Sequence, residues 1–494
     1  MADGQASTTP TREQVGMDEA RGRWVLLAAS LGSGLAMLDA TVVNIALPRI
    51  GTDLGAGFAG LQWTINGYTL TLASFILLGG SLGDRFGRRR VFVIGTVWFA
   101  LASLLCGLAP NIGLLVAARM LQGVGGALLT PGSLALIQAS FRADDRARAI
   151  GAWSGLGGVA GALGPLIGGT LVEVSWRLVF LINLPLAALV VVVARKHVPE
   201  SYDPEMDPHT DGWGAVLGAL GLGGSTYALV RLGSGIDAPT IAIGLVGLAG
   251  LAAFVLVERR SRSPMLPVEL FASRQFTAAN LVTFAMYAAL GGVFFLLVLQ
   301  LQIVAGFSPL GAGLALLPIT AAMLLLSAKA GALAQRIGPR VPMTVGPLVC
   351  AGGLLLLLRI GPDATYAADV LPAVLVFGLG LSATVAPLTA TVLAAASDRH
   401  AGVASGVNNA VARAAGLLAV AALPALAGIA GDDYHSATAF DHVFRVAMLL
   451  CAGLLGLGGA LAALLISDAG VRAAPRPERQ NFCAVDGPPV TAPT

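Results

Sequence analysis

One carboxylate stands out by its position. The chain has 27 acidic residues, and only Asp39 falls deep inside an apolar run, Leu38-Asp39-Ala40-Thr41-Val42-Val43-Asn44-Ile45-Ala46. Glu173 and Glu258 sit at the ends of such runs, where water reaches them. In lipid, an acid at mid-span costs about 2.5–3.5 kcal/mol even on a lenient insertion scale, so it is a functional candidate by default. The chemistry open to a solitary buried carboxylate is uptake and release of a proton. The five histidines, His197, His209, His400, His435 and His442, all fall in loops, so no buried imidazole competes for that role.

The natural partner of Asp39 is Arg119, in Arg119-Met-Leu-Gln122-Gly123-Val-Gly125-Gly126. With basic loops taken as cytoplasmic, Asp39 lies roughly eight residues from the outer end of its segment and Arg119 roughly seven from the outer end of its own; at 1.5 Å per residue both sit about 10–12 Å below the same face. An arginine does not give up its charge, so beside Asp39 it favours the carboxylate, whereas burial favours the neutral acid. A motion that separates the two then drives proton uptake. The plainer reading is a static ion pair that neutralises two buried charges.

A second basic residue, Arg413, stands at mid-depth beside Asn408 and Asn409. No acid of the second half faces it, which leaves a carbonyl dipole, Asp39 across a cavity, an anionic group on a substrate, or simple helix packing to account for it. Asn44, Gln62, Asn66, Tyr68, Gln122, Gln300 and Gln302 are expected to line a cavity among apolar neighbours, suited to small amphipathic organic compounds. A run from Gly151 through Gly164-Pro165-Leu-Ile-Gly168-Gly169 forms a small-residue ridge at four-residue spacing. Such a ridge lets helices approach closely, and Pro165 permits a kink in what would be a gating helix. In Gly80-Ser-Leu-Gly-Asp84-Arg85-Phe-Gly87-Arg88-Arg89-Arg90, charges gather at the join of two apolar segments. An ion pair or a carboxylate at a helix N-terminus there is expected to act as a latch, although the arginines also serve as topology determinants.

These residues must be positioned by membrane helices. The composition is 56% hydrophobic and only 12% charged, with 64 glycines, far from a soluble protein. Runs of about 20 apolar residues, enough to cross ~30 Å of hydrocarbon, fall at Trp24–Ala46, Leu61–Leu82, Val91–Ala109, Gly113–Ala139, Ala147–Val172, Trp176–Ala194, Trp213–Val230, Thr240–Val257, Thr277–Val304, Leu310–Ala334, Val341–Ile360, Val370–Ala396, Ala401–Ala430 and Val443–Ile466. Every second loop is basic, at Arg85–Arg90, Arg142–Arg148, Arg195 with Lys196, Arg259–Arg262, Arg336 with Arg340, and Arg399. Both tails are therefore expected in the cytoplasm. Met1 to Ala20 is polar, without the apolar core of a signal peptide, so the first helix is its own insertion signal.

The loop around Asp84 recurs: Gly80, Leu82, Arg85, Gly87 and Arg89 are matched in register by Gly331, Leu333, Arg336, Gly338 and Arg340, with Gln335 in place of the acid. Two parallel half-bundles follow. The expected organisation is a tail (1–23), an N-terminal six-helix bundle (24–195), a central loop with two inserted helices (196–276), a C-terminal six-helix bundle (277–466) and a second tail (467–494). Cys106, Cys350, Cys451 and Cys483 show neither disulfide nor metal spacing. The two lysines follow Arg195 and Ala328, so no Gly-Lys-Ser/Thr phosphate loop exists for an ATP-driven pump.

At Leu38 through Pro48 the sequence resembles the first-helix signature of the fourteen-helix drug:proton antiporter family within the major facilitator superfamily. The loop at Gly80–Arg90, the fourth-helix motif at Arg119–Gly126, the fifth-helix antiporter motif ending in Gly164-Pro165-Leu-Ile-Gly168-Gly169, and Pro199-Glu200-Ser201 with Asp211-Gly212-Trp213 extend the resemblance across the N-terminal half. The C-terminal half matches in helix count and in the repeated loop. The resemblance implies an all-α multi-pass protein of the cytoplasmic membrane, acting as a monomer without cofactor, metal or nucleic acid and surrounded by lipid. It also implies proton-coupled export of drugs, dyes or antibiotics. A lipid or metabolite transporter on the same fold, and a sensor that binds without moving its ligand, are the alternatives.

Overall fold

The computed structural model describes residues 14–202, 212–235, 237–261, 264, 266–396, 401–428 and 436–468. Of the residues singled out above, His209, Asp211, Arg262, Arg399, His400, His435 and Cys483 lie outside them. The helices are α1 Ala20–Leu54, α2 Phe58–Phe86, α3 Arg88–Leu108, α4 Ile112–Ser140, α5 Ala143–Val174, α6 Leu178–Leu181, α7 Asn183–His197, α8 Gly212–Arg231, α9 Ala238–Arg260, α10 Arg274–Leu299, α11 Pro309–Ile337, α12 Arg340–Leu357, α13 Leu371–Ala394, α14 Ala401–Leu426 and α15 Ala437–Leu465. Among the described residues 14 spans are long and apolar enough to cross a membrane, α6 and α7 together making one of them. The first helix is longer than its apolar run, continuing through Pro48 and Arg49 to Leu54. Helix ends that project into water keep their backbone bonds without needing apolar side chains.

Local chemistry sets the boundaries. The side chains of Asn111, Ser273, Ser308 and Ser436 accept from the backbone N–H three residues on, at 3.0 to 3.4 Å, and so cap α4, α10, α11 and α15. Gly55 closes α1 in the left-handed conformation, which a side chain would resist. In lipid the backbone must be satisfied within each span, and helices meet where side chains are small. A Cβ on Gly125 would stand 2.7 Å from the backbone nitrogen of Phe99, and one on Gly79 has no room beside the Ala127 carbonyl.

Two half-bundles, α1–α7 and α10–α15, are joined by the α8–α9 pair. Helix α8 lies against both α2 and α14 and so spans the seam, while α9 packs chiefly on α8. The halves meet firmly at the end away from the Arg85–Arg90 loop. There Gln62 Nε2 donates to the Val420 carbonyl at 2.7 Å and Gln302 Nε2 to the Ile45 carbonyl at 3.1 Å. Phe58 of α2 meets Phe295 and Phe440 edge-on, with centroids 5.7 and 6.4 Å away. On the other side of the bundle, α5 and α11 touch backbone to backbone: a Cβ on Gly169 would lie 2.5 Å from Leu310 Cα, and Gly313 sits against the Pro165 carbonyl.

The repeated loop contains a symmetry that its own residues do not show. In the first copy Gly87 takes φ 106° and Glu200, just beyond α7, packs on it and accepts from the Arg89 backbone N–H at 3.0 Å. In the second copy Gly338 takes φ 94° and Asp468, just beyond α15, packs on it and accepts from the Arg340 N–H at 3.0 Å. Each half thus caps the N-terminus of its third helix with a carboxylate from the end of its last one. Of the expected latch residues, Asp84 pairs with Arg88 at 2.7 Å within the same half, and Arg85 stacks on Phe86. The carboxylate at the helix N-terminus is therefore Glu200 and not Asp84.

Removing either cap leaves N–H groups of a helix terminus without an anion, a loss of about 1–2 kcal/mol. Glu200→Ala and Asp468→Ala should each lower the thermal midpoint of the detergent-extracted protein, whereas Gln335→Ala should leave it unchanged. An Asp468→Ala melt that matches that of Gln335→Ala would refute the second cap.

Candidate functional site

Between Gly32 and Pro48 helix α1 is buried except for a stripe, Met37, Ala40, Thr41, Asn44 and Pro48, that faces the space between the halves. Asp39 lies on the opposite side of the helix and is fully buried within the N-terminal half. Its Oδ2 accepts from Arg119 Nη1 at 2.5 Å. Its Oδ1 accepts from Gln122 Nε2 at 2.8 Å and from Asn183 Nδ2 at 3.2 Å. Ser103 Oγ receives second bonds from the same two amides, at 2.8 and 3.3 Å. Arg119, 1% exposed, also donates to Gln122 Oε1 at 2.6 Å and, through Nε, to the Thr64 carbonyl at 3.0 Å. Five helices, α1, α2, α3, α4 and α7, therefore converge on one carboxylate.

The fourth-helix motif divides its labour by helical position. Arg119 and Gln122, three apart, share the face toward Asp39. Gly123 gives close approach to the backbone of Tyr68, Gly125 to Phe99, and a Cβ on Gly126 would meet the Tyr68 hydroxyl at 3.1 Å. The Tyr68 ring lies under the Arg119 guanidinium, 4.3 Å from ring centre to Cζ, and Phe180 lies 5.8 Å away. Both rings supply a cation with a partly compensating quadrupole in a dry site.

The fifth-helix glycines connect this site to the other half. Gly164 and Gly168 have no space for a side chain beside Thr41 and Val42, two and three residues beyond Asp39 on α1. Pro165 and Gly169, on the neighbouring face, carry the contact with α11. One helix thus touches α1 with one set of small residues and the opposite half-bundle with the next.

The residues expected to line a cavity separate into groups. Asn44 belongs to the open stripe of α1; its Nδ2 donates to the Ala40 carbonyl at 3.1 Å while Oδ1 is without a partner. Asn66, fully buried, has no partner for either amide atom, and the Tyr68 hydroxyl likewise has none. Asn409 is exposed and Arg413 partly so. Gln122 is not a cavity residue but part of the Asp39 network. Gln62 and Gln302 are held by backbone carbonyls across the seam. Gln300 is buried at the far end of the bundle, where Nε2 donates to the Ile360 carbonyl at 2.9 Å and to Asp441 at 2.7 Å. Asn408 donates to Thr283 at 2.7 Å and to Asn280 at 3.2 Å, which ties α14 to α10.

Sequence reading missed Ser103, Thr64 and Asn183. Asn183 carried a usable signal, an amide within an otherwise apolar span; its pairing with a residue 144 positions away did not. Cys106, Cys350 and Cys451 are free and buried, and among the described residues no three His, Cys, Asp or Glu side chains gather as a metal site.

The model of the Major Facilitator Superfamily matches residues 29–420. "Multidrug resistance protein Stp" of Mycobacterium tuberculosis (strain CDC 1551 / Oshkosh) is 37% identical over 390 residues, 78% of this chain and 72% of that protein. "Puromycin resistance protein pur8" of Streptomyces alboniger is 37% identical over 465 residues, 90% of this chain and 92% of its own length. Among solved structures, a D-xylose-proton symporter superposes with a TM-score of 0.66 at 16% identity, covering 92% of this chain and 99% of that one. Two half-bundles around a buried carboxylate, a matching family model and relatives alike over most of their length together place this chain in the Major Facilitator Superfamily.

Proposed function

We propose that the protein is a secondary active exporter that exchanges protons for amphipathic drugs, dyes or antibiotics across the cytoplasmic membrane, working as a monomer with the basic end in the cytoplasm. The observation that carries this reading is the Asp39–Arg119 pair: the buried carboxylate is fully coordinated, turned away from the space between the halves, and carried on a helix, α1, that packs on α5, which in turn contacts the other half. The relatives' names, which speak of resistance to puromycin and to several drugs, agree with export. At the far end, arginines are matched by acids, with Arg49–Asp53, Arg231–Asp237 and Arg445–Asp441 at 3.5, 3.7 and 2.9 Å. Basic residues are denser in the loops at the other end, Arg85–Arg90, Arg142–Arg148 and Arg195 with Lys196, which is the end proposed to be cytoplasmic.

In this scheme the closed seam at the far end and the exposed Met37 and Asn409 describe a bundle open toward the cytoplasm. Proton transfer to Asp39 removes the negative partner of Arg119 and releases the amides of Gln122 and Asn183. Helix α1 can then shift against α4, and α5 transmits the shift to α11 through its glycines. Substrate and proton never need to touch.

Asp39→Asn preserves shape and removes the titrating group. In proteoliposomes with an imposed pH gradient it should fold and insert but lose uphill export, and normal uphill export by this variant would remove Asp39 from the mechanism.

Arg119→Ala removes the partner of a buried carboxylate and leaves Asp39 stranded in a dry site. Uphill export under an imposed pH gradient should be lost, while Arg119→Lys, which keeps charge but not the fork, should retain part of it. Full uphill export by Arg119→Ala would make the pair dispensable.

A further inference from the structure

Arg413 stands midway along α14 and makes no hydrogen bond or ion pair with any described residue. Asp39 is not its counter-ion, because both oxygens of that carboxylate are held by Arg119, Gln122 and Asn183. The Asp39–Arg119 pair is neutral as a unit, which leaves the charge of Arg413 uncompensated. A charge with no partner at mid-membrane is expensive and persists where it serves a ligand or a path.

Its surroundings follow from the register of the seam. Gln62 bonds to Val420, and Leu77 lies against Gly406. Arg413, halfway between Gly406 and Val420, therefore faces α2 halfway between Gln62 and Leu77, beside Tyr68. On its other side α10 and α14 touch at Gly291 and Gly416, one turn beyond Tyr287 and Arg413. Tyr287 and Arg413 accordingly lie at the same level of the α10–α14 contact. Asn409, one turn nearer the basic end on the same face of α14, is exposed. The Tyr68 hydroxyl, on a side chain 3% exposed, has no partner of its own. A planar fork of N–H donors, the half-buried Tyr287 and an exposed amide thus share one space, while the Tyr68 hydroxyl is buried.

We propose that Arg413 recognises an anionic group, a carboxylate or phenolate, on an aromatic amphipathic substrate, with Tyr287 against its ring system. This deepens the exporter reading and rests on it for the direction of transport. A guanidinium pairs such an oxyanion through charge-assisted bonds, and the Tyr287 phenol offers a ring face and a donor hydroxyl. A cationic substrate of the same shape is repelled by the same residue.

Two xanthene dyes separate charge from shape: fluorescein, with a carboxylate and a phenolate, and rhodamine 6G, a cation. Binding to the full-length protein in detergent is followed by fluorescence anisotropy. Fluorescein should bind saturably, and Arg413→Gln should weaken it about tenfold or more, the loss expected for a charge-assisted hydrogen bond. Arg413→Lys should fall between, and rhodamine 6G should bind the Gln variant no more weakly than wild type. Absence of saturable fluorescein binding, or equal weakening of both dyes by Arg413→Gln, would overturn the proposal. Flux in proteoliposomes under a pH gradient is read separately. Fluorescein that binds through Arg413 but is not moved would leave the anion site standing and defeat export, whereas driven movement of rhodamine 6G without fluorescein binding would leave export standing and defeat the anion site.

Discussion

The pairing of Asp39 with Arg119 is the constraint from which much of the N-terminal half follows. In a low-dielectric interior neither charge is tolerated alone, and a buried pair is seldom a net gain in stability over apolar packing. Once it is present, every remaining lone pair and donor needs a partner, because an unmet buried polar group costs more than a made bond returns. Gln122, Asn183, Ser103 and the Thr64 carbonyl meet those needs, and each comes from a different helix. The glycines of α4 then become necessary, since a five-helix convergence on short side chains requires backbones to come close. An arrangement so demanding and so weakly rewarded in stability is one that function retains.

The carboxylate's direction matters as much as its partners. Asp39 and the open stripe of Met37, Thr41 and Asn44 occupy opposite sides of α1. For the proposed exchange, direct competition between proton and substrate for one acid is therefore not the mode that this geometry favours. What connects the two is the body of α1, held on one side by Arg119 and on the other by Gly164 and Gly168 of α5. Because close-packed small-residue contacts leave little slack, a shift of α1 has few ways to be absorbed locally. It passes to α11, where Gly313 and Leu310 meet Pro165 and Gly169.

Much of this was legible in the sequence. Segment count, the half-bundle repeat and the Asp39–Arg119 pair followed from apolar run lengths, loop charge and the rise per residue, all local or additive quantities. Polarity alone assigns Gln122 to the cavity, although its three-residue offset from Arg119 puts both on one face. Gln62, Gln300 and Gln302 resisted for a deeper reason. Their partners are carbonyls of distant segments, up to 358 positions away for Gln62 with Val420, and a backbone carbonyl has no signature in sequence. Glu200 and Asp468 were hidden differently, since the repeat was sought inside the loop while the acid had moved to the end of another helix.

Those two caps bear on how the molecule can move. In each half the residue after the last helix binds the start of the third, so the ends of the half-bundle are tied at the basic end. Within the first half, Arg89 adds a contact to Glu200 at 3.4 Å and a bond to the Val198 carbonyl at 3.1 Å. Bonds of this kind lie inside a half and need not break when the halves rock. Bonds that must break lie across the seam, and those at its far end are of a cheaper kind: single amide donors, Gln62 and Gln302, on carbonyls that already serve their own helices. Water reaching an opening seam can replace each of them at little net loss. The uncompensated cation at Arg413 faces this same seam, so an anion bound there adds a new attraction between α14 and whatever lines α2. The stiffness lies within the halves and the exchangeable contacts between them, the distribution that lets a ligand of modest affinity select one arrangement of two rigid bodies.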